Sequence, residues 1–213
     1  MYVISAIVQT PRHPGRFTVL VDGTQLAVLS LDAIERLHLA VGKSIAGLEE
    51  RIAAEAQQLK VYDRALNMLA FRARSAMELA RSLVRKGEEK DIVDRAIERL
   101  KEQGLLDDAA FAQAFTRAKV LGANQSRRRV QQGLRRKGVA RDVSDAAIET
   151  VFEEEGVDQG ALVEEVARKK LRTLSTLEPV VQRRRLYAFL ARRGYDADDI
   201  RAAMSAVGRT EEP

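Results

Sequence analysis

The stretch LRRKG, Leu134 to Gly138, decides how this chain folds. The same frame returns as LVRKG from Leu83 to Gly87 and as LARRG from Leu190 to Gly194. Bases followed by glycine mark a helix C-terminus, because cations offset the negative end of the helix dipole and glycine takes the left-handed C′ position. With the three glycines aligned without gaps, the residue eight earlier is Leu79, Val130 or Leu186, one turn ahead of the motif leucine. Downstream come Ala96, Ile97 and Leu100, then Ala147, Ile148 and Val151, then Ala203, Met204 and Val207, each set at the same offsets from its glycine. Apolar offsets of three and four describe the buried stripe of a following helix. The unit is therefore helix, tight turn, helix, repeated three times at spacings of 51 and 56 residues.

Composition sets the frame around this repeat. Hydrophobic residues at 46% and charged residues at 31% describe a folded, soluble chain rather than a disordered one. Without cysteine, disulfides and thiolate chemistry are excluded, and a reducing cytoplasm is the expected home. No apolar run approaches the roughly 20 residues needed to span a bilayer. The opening MYVISAIVQT also lacks the basic and long apolar regions of an export signal.

The first 60 residues read differently from the rest. Tyr2 to Gln9, Phe17 to Val21 and Gln25 to Leu29 are short apolar, β-branched runs. Turn signals at residues 10–15 and at Asp22-Gly23 separate them, which predicts a three-stranded antiparallel sheet. Ser30 is placed to cap a helix over Leu31 to Leu39, with Ile34, Leu37 and Val41 covering the sheet and Gly42 ending the helix. Gly42-Lys43-Ser44 has the ending of a phosphate-binding P-loop, but Leu37 stands where that motif needs its first glycine, and a strand does not precede it. A second helix is expected over residues 46–59.

The expected fold class is mostly α: a tandem array of three three-helix repeats after a small N-terminal α+β domain. The expected division is residues 1–60 for that domain, 61–106, 107–157 and 158–207 for the repeats, and a disordered tail over 208–213. In the first repeat, a helix from Tyr62 to Arg72 turns Ala65, Leu66 and Leu69 inward, and Ser75 with Glu78 forms a capping box at the start of the middle helix. The third helix, about 89–103, buries Ile92, Val93, Ala96, Ile97 and Leu100, and Asp107 or Asp108 caps the next. Pro179 suits the first turn of the last middle helix.

Charge follows the repeat. Residues 1–60 balance six bases with six acids, so the whole formal excess of +5 lies downstream. Between Ala109 and Arg141 there are nine bases and no acid; from Asp142 to Glu165 there are nine acids and no base. Arg128 with Arg135, and Arg129 with Arg136, stand seven apart on one helix side, opposite Val130 and Leu134. Arg185 with Arg192, and Arg184 beside them, repeat the arrangement opposite Leu186 and Leu190. The candidate contact set for a polyanion is Arg72, Arg74, Arg85, Lys86, Arg127, Arg128, Arg129, Arg135, Arg136, Lys137, Arg184, Arg185, Arg192 and Arg193. Basic runs on helices are ordinarily solvated faces, some paired with nearby acids. Here they keep phase with the repeat, which favours an anionic partner.

Catalytic constellations are lacking. His13 in a turn and His38 on a surface-facing helix position are too few for a histidine metal site or proton relay, and no cofactor is expected. Glu153, Glu154 and Glu155 point in different directions from one helix. Phe111, Phe115, Tyr187, Phe189 and Tyr195 read as core residues, Tyr195 being the one nearest a surface.

The runs RARSAMELARSLVRKG (Arg72 to Gly87), QGLLDDAAFA (Gln103 to Ala112), SRRRVQQGLRRKGV (Ser126 to Val139) and RRRLYAFLARRGYDADDI (Arg183 to Ile200) resemble the RecX family of regulatory proteins over about residues 60–207. The resemblance implies a non-enzymatic cytoplasmic protein that binds the RecA recombinase in the groove of its DNA filament. It implies inhibition: blocked filament extension or promoted disassembly, with strand exchange and ATP hydrolysis suppressed. Single- or double-stranded DNA would be the second partner, met by a monomeric chain in the recombination, DNA-repair and SOS setting of that family. The alternative is a free-standing helix-turn-helix regulator of DNA, although no dimerisation heptad is present.

Overall fold

A computed structural model of the chain describes residues 2–11 and 13–209. Among these residues three strands come first: β1 (Ile4–Gln9), β2 (Arg16–Val21) and β3 (Thr24–Ser30). They pair as an antiparallel meander in the order β1-β2-β3. Among the described residues ten helices follow: α1 (Leu31–Arg36), α2 (Glu49–Phe71), α3 (Ala76–Arg85), α4 (Lys90–Glu102), α5 (Asp108–Val120), α6 (Arg127–Lys137), α7 (Arg141–Glu154), α8 (Gln159–Arg172), α9 (Pro179–Arg192) and α10 (Ala197–Arg209). They form two compact units. The first holds the residues up to Ala73 with Leu79–Leu106, the second Arg74–Glu78 and the chain from Asp107 onward.

In the first unit the sheet turns Ile4, Val19, Val21, Ala27 and Leu29 onto Ala33, Ile34, Leu37, Leu39, Ile45 and Ile52. Ser30 caps α1 as expected, its Oγ accepting from the Ala33 N–H at 3.3 Å. The helix ends at Arg36 rather than Leu39. His38 turns left-handed at φ +52, and the Leu39 N–H donates back to the Ile34 carbonyl at 2.9 Å, which closes the helix and drops Leu39 into the core. His38 is thus exposed but off the helix, Gly42 lies in a later turn, and Val41 is 62% exposed instead of covering the sheet.

The two helices expected over 46–59 and 62–72 are one, α2. No glycine or proline interrupts residues 49–71. Ile52 serves the sheet core while Leu59, Val61, Tyr62 and Ala65 are buried further along, with Leu66 and Leu69 half-buried. The division at residue 60 therefore falls inside a helix. Arg16 on β2 reaches Asp63 with Nη2 to Oδ1 at 2.6 Å, and Glu88 is buried against Arg64 and Gln57 of α2.

Helices α5–α7 and α8–α10 are the two three-helix sets of the second unit. Their cores centre on Val130 and Leu134 in one and on Leu186 and Leu190 in the other. Asp107 caps α5, accepting from the Ala109 and Ala110 N–H groups at 2.8 and 3.0 Å. Asp108 does different work, accepting from the Ala76 N–H at the start of α3 at 2.8 Å. The tail expected from residue 208 lies outside the described residues from 210 on; α10 itself runs to Arg209.

Two of the three LRRKG-type glycines, Gly138 and Gly194, are fixed by what they touch. The Gly138 and Val139 N–H groups donate to the Arg135 and Leu134 carbonyls at 3.0 and 3.2 Å, so the motif leucine closes its helix as well as filling the core. Gly138 then sits on the first turn of α3. The Ser75 hydroxyl donates to the Lys137 carbonyl at 2.5 Å while accepting from the Glu78 N–H at 3.2 Å. A Cβ on Gly138 would collide with the Cβ and Cγ of Met77. Gly194 repeats this on α6: its Cβ would lie 2.6 Å from the Cβ of Arg129 and 2.8 Å from Ser126 Oγ, and the Ser126 N–H donates to the Arg193 carbonyl at 3.3 Å. The ends of α6 and α9 thus rest on the capped starts of α3 and α6. Gly87, first in the series, would meet nothing within 4 Å.

Candidate nucleic-acid interface

The candidate bases divide between the two units. Arg72, Arg85 and Lys86 are exposed in the first, with Arg72 Nη1 donating to the Ala73 carbonyl at 3.1 Å. Arg74 is half-buried and belongs to the second, with all the bases of α6 and α9.

Several of these bases are occupied within the chain. Arg127 pairs with Glu149 at 2.6 Å and lies 4.2 Å over the Phe152 ring. Lys137 pairs with Glu78 at 3.0 Å above Phe111 and Phe115, whose rings stack at 6.2 Å. Arg193 donates to the Ala123 carbonyl and covers the Phe189 ring at 4.6 Å. These three hold helices together. Arg117 is likewise taken by Glu154 of α7 and by Glu155 at the cap of that helix; its hydrogen bond to Glu155, reinforced by the Glu154 charge, raises its pKa. The acidic third helix therefore neutralises part of the basic run before it.

The rest of the set points outward. Arg128, Arg135, Arg184, Arg185 and Arg192 are exposed and join no ion pair among the described residues. Arg136 is exposed too, and Arg129 is half-buried because its Cβ supports Gly194. Helical spacing places Arg128, Gln132 and Arg135 on one outer side of α6, opposite Val130, Gly133 and Leu134. Gly133 is bare because a Cβ there would meet the Phe115 ring at 2.8 Å. Since the Arg193-Gly194 turn sits on Ser126 and Arg129, α9 and α6 meet end to end and their basic residues succeed one another. Such a surface attracts a polyanion through phosphate contacts, which need charge but no enclosed pocket.

Two aromatic residues exchange roles relative to expectation. Tyr195 is buried, its hydroxyl donating to the Asn124 carbonyl at 3.1 Å, and burial pushes its pKa up to about 12. Tyr187 on α9 is the exposed one of this pair, at 42%, with Tyr2 at the start of the chain more exposed still at 68%. The spacing of Tyr187 from Leu186 and Leu190, off their buried stripe, carried that information. Among the described residues no cluster of histidine, aspartate and glutamate is arranged to hold a metal ion, and no helix is long and apolar enough to cross a membrane.

Comparison with known proteins matches three family models along the chain: the first three-helix domain of RecX at residues 62–100, the second at 107–148 and the third at 158–204. The regulatory protein RecX of Chlorobaculum tepidum is 34% identical over 153 residues, covering 72% of this chain and 91% of the relative. The chain belongs to the RecX family. The RecX of Halorhodospira halophila is 37% identical, over 71% of this chain and 91% of its own. A crystal structure of a regulatory protein RecX shares the fold with a TM-score of 0.78 at 21% identity, covering 96% of this chain and all of that one. RecX from Lactobacillus salivarius aligns with a TM-score of 0.60 at 18% identity over 72% of this chain and 97% of its own. The three RecX helical domains correspond to the three LRRKG-type units, and the N-terminal sheet precedes them. Members carry the name regulatory protein, which gives this chain a regulatory role.

Proposed function

We propose that the protein is a non-enzymatic inhibitor of the RecA recombinase. It binds the RecA–DNA filament through the basic face of its helical repeats and limits filament growth, ATP hydrolysis and strand exchange. The observation that carries this reading is the sorting of the arginines. Arg117 and Arg127 are neutralised by α7, whereas Arg128, Arg135, Arg184, Arg185 and Arg192 are exposed and join no ion pair among the described residues, on two helices that meet end to end. Exposed ion pairs contribute only about 0–1 kcal/mol each, so leaving those arginines unpaired costs the fold little and keeps them for a partner.

Membership of the family supports a regulatory role, and the arginine surface supplies contacts for the filament's phosphates. The protein acts as a monomer in the cytoplasm, in the recombination, repair and SOS setting of RecA, without a cofactor. The experiment is RecA-dependent ATP hydrolysis on single-stranded DNA with increasing amounts of the full chain. Hydrolysis should fall as the protein is added; a rate unchanged at molar excess contradicts the proposal.

A further inference from the structure

The aromatic rings of this protein are mostly spoken for. Phe152 carries Arg127 at 4.2 Å, Phe189 carries Arg193 at 4.6 Å and Tyr62 carries Arg99 at 4.8 Å. The hydroxyls of the buried tyrosines are used as well, Tyr62 donating to Gln103 and Tyr195 to Asn124. Tyr187 differs on each count. It is 42% exposed, and among the described residues its hydroxyl makes no hydrogen bond and its ring carries no cation. Yet Arg183 and Arg184 stand four and three residues before it, one turn away on the same side of α9. Val180, 79% exposed, extends this face toward the helix start, and Ala191 extends it toward the end. A bare aromatic ring flanked by unpaired guanidinium groups is the combination that holds an unpaired strand: the ring stacks on a base while the cations take the neighbouring phosphates.

The matching place on α6 is built otherwise. Fifty-six residues before Tyr187 stands Gln131, whose amide donates to Asp145 at 2.6 Å and is tied down. Helix α6 therefore offers phosphate contacts without a stacking surface. In a duplex the bases are already stacked and paired, and no base face is presented to a helix lying along the backbone. The two arginine helices are thus unequal.

We propose that α9 distinguishes single-stranded from double-stranded DNA, with Tyr187 stacking on an unpaired base between phosphates held by Arg183 and Arg184, while α6 binds either form through its arginines. This rests on the DNA contact proposed above. The test is fluorescence anisotropy of the full chain with a labelled thymidine oligomer and with a duplex of the same length, at one salt concentration. Tyr187→Ala should weaken binding of the oligomer about tenfold, the size of one lost stacking contact. Duplex affinity should stay within about twofold, Tyr187→Phe should retain oligomer binding, and Arg184→Ala should weaken both ligands. Oligomer affinity unchanged in Tyr187→Ala, or an equal loss for oligomer and duplex, overturns the assignment while leaving the DNA contact standing. A wild-type chain with no salt-dependent affinity for either ligand overturns both.

Discussion

At the scale of single residues, each motif position has a separate physical task, and the tasks differ between copies. Leu134 fills the core and lends its carbonyl to close α6, Lys137 bridges to Glu78, and Gly138 clears Met77. Tyr195 supplies a pH-dependent check of the packing. Its pKa is raised from 10.0 to about 12 by burial, so the fold favours its neutral form. That contribution is fully present below pH 10 and is lost as pH rises through 12. Tyr195→Phe should cost about 1 kcal/mol at neutral pH through the lost hydrogen bond to Asn124. Measured by urea unfolding, the wild type's advantage over this variant should shrink between pH 10 and 12; a constant difference across that range contradicts the buried, hydrogen-bonded hydroxyl. Sequence reading placed Tyr195 nearer the surface than Tyr187, the reverse of what is found, because no local pattern says that a hydroxyl will find a carbonyl 71 residues away.

At the scale of elements, a left-handed turn after each middle helix explains why glycine recurs, and the seating of α6 on the start of α3 and of α9 on the start of α6 adds a second demand at Gly138 and Gly194. All three motif glycines are left-handed, at φ +87, +80 and +89, so alanine at any of them strains the backbone by about 1–2 kcal/mol. At Gly138 and Gly194 alanine must also displace Met77 or Arg129, an overpacking cost of about 1–3 kcal/mol more. Thermal or urea unfolding should therefore rank Gly138→Ala and Gly194→Ala as clearly more destabilising than Gly87→Ala. Equal losses at all three would mean that the glycines serve only their own turns. The repeat period, the caps at Ser30, Ser75 and Asp107 and the hairpin at Asp22-Gly23 were legible in the sequence because each rests on contacts a few residues apart. The continuity of α2 was not, since apolar residues on either side of residue 60 face different cores without any helix breaker between them. Nor was the second use of Asp108, which caps a helix that begins 32 residues earlier.

At the scale of the whole molecule, alternating basic and acidic helices do two jobs that the charge pattern alone merges. Some opposite charges meet across the repeat, as Arg117 meets Glu154 and Glu155, and are spent on holding helices together. Others, Arg128, Arg135, Arg184, Arg185 and Arg192, join no ion pair among the described residues, and these form the proposed filament-binding face. The sequence located the basic helices but could not sort their arginines, because pairing depends on which rotation of α6 faces α7. The measurement that separates the two groups is inhibition of RecA-dependent ATP hydrolysis on single-stranded DNA by a chain carrying Arg128, Arg135, Arg184, Arg185 and Arg192 all replaced by alanine, beside the wild type. The exposed set should lose inhibition at every concentration where the wild type inhibits, with an unfolding temperature within a few degrees of the wild type because no internal ion pair is broken. A folded five-fold variant that inhibits as the wild type does would contradict the proposed face.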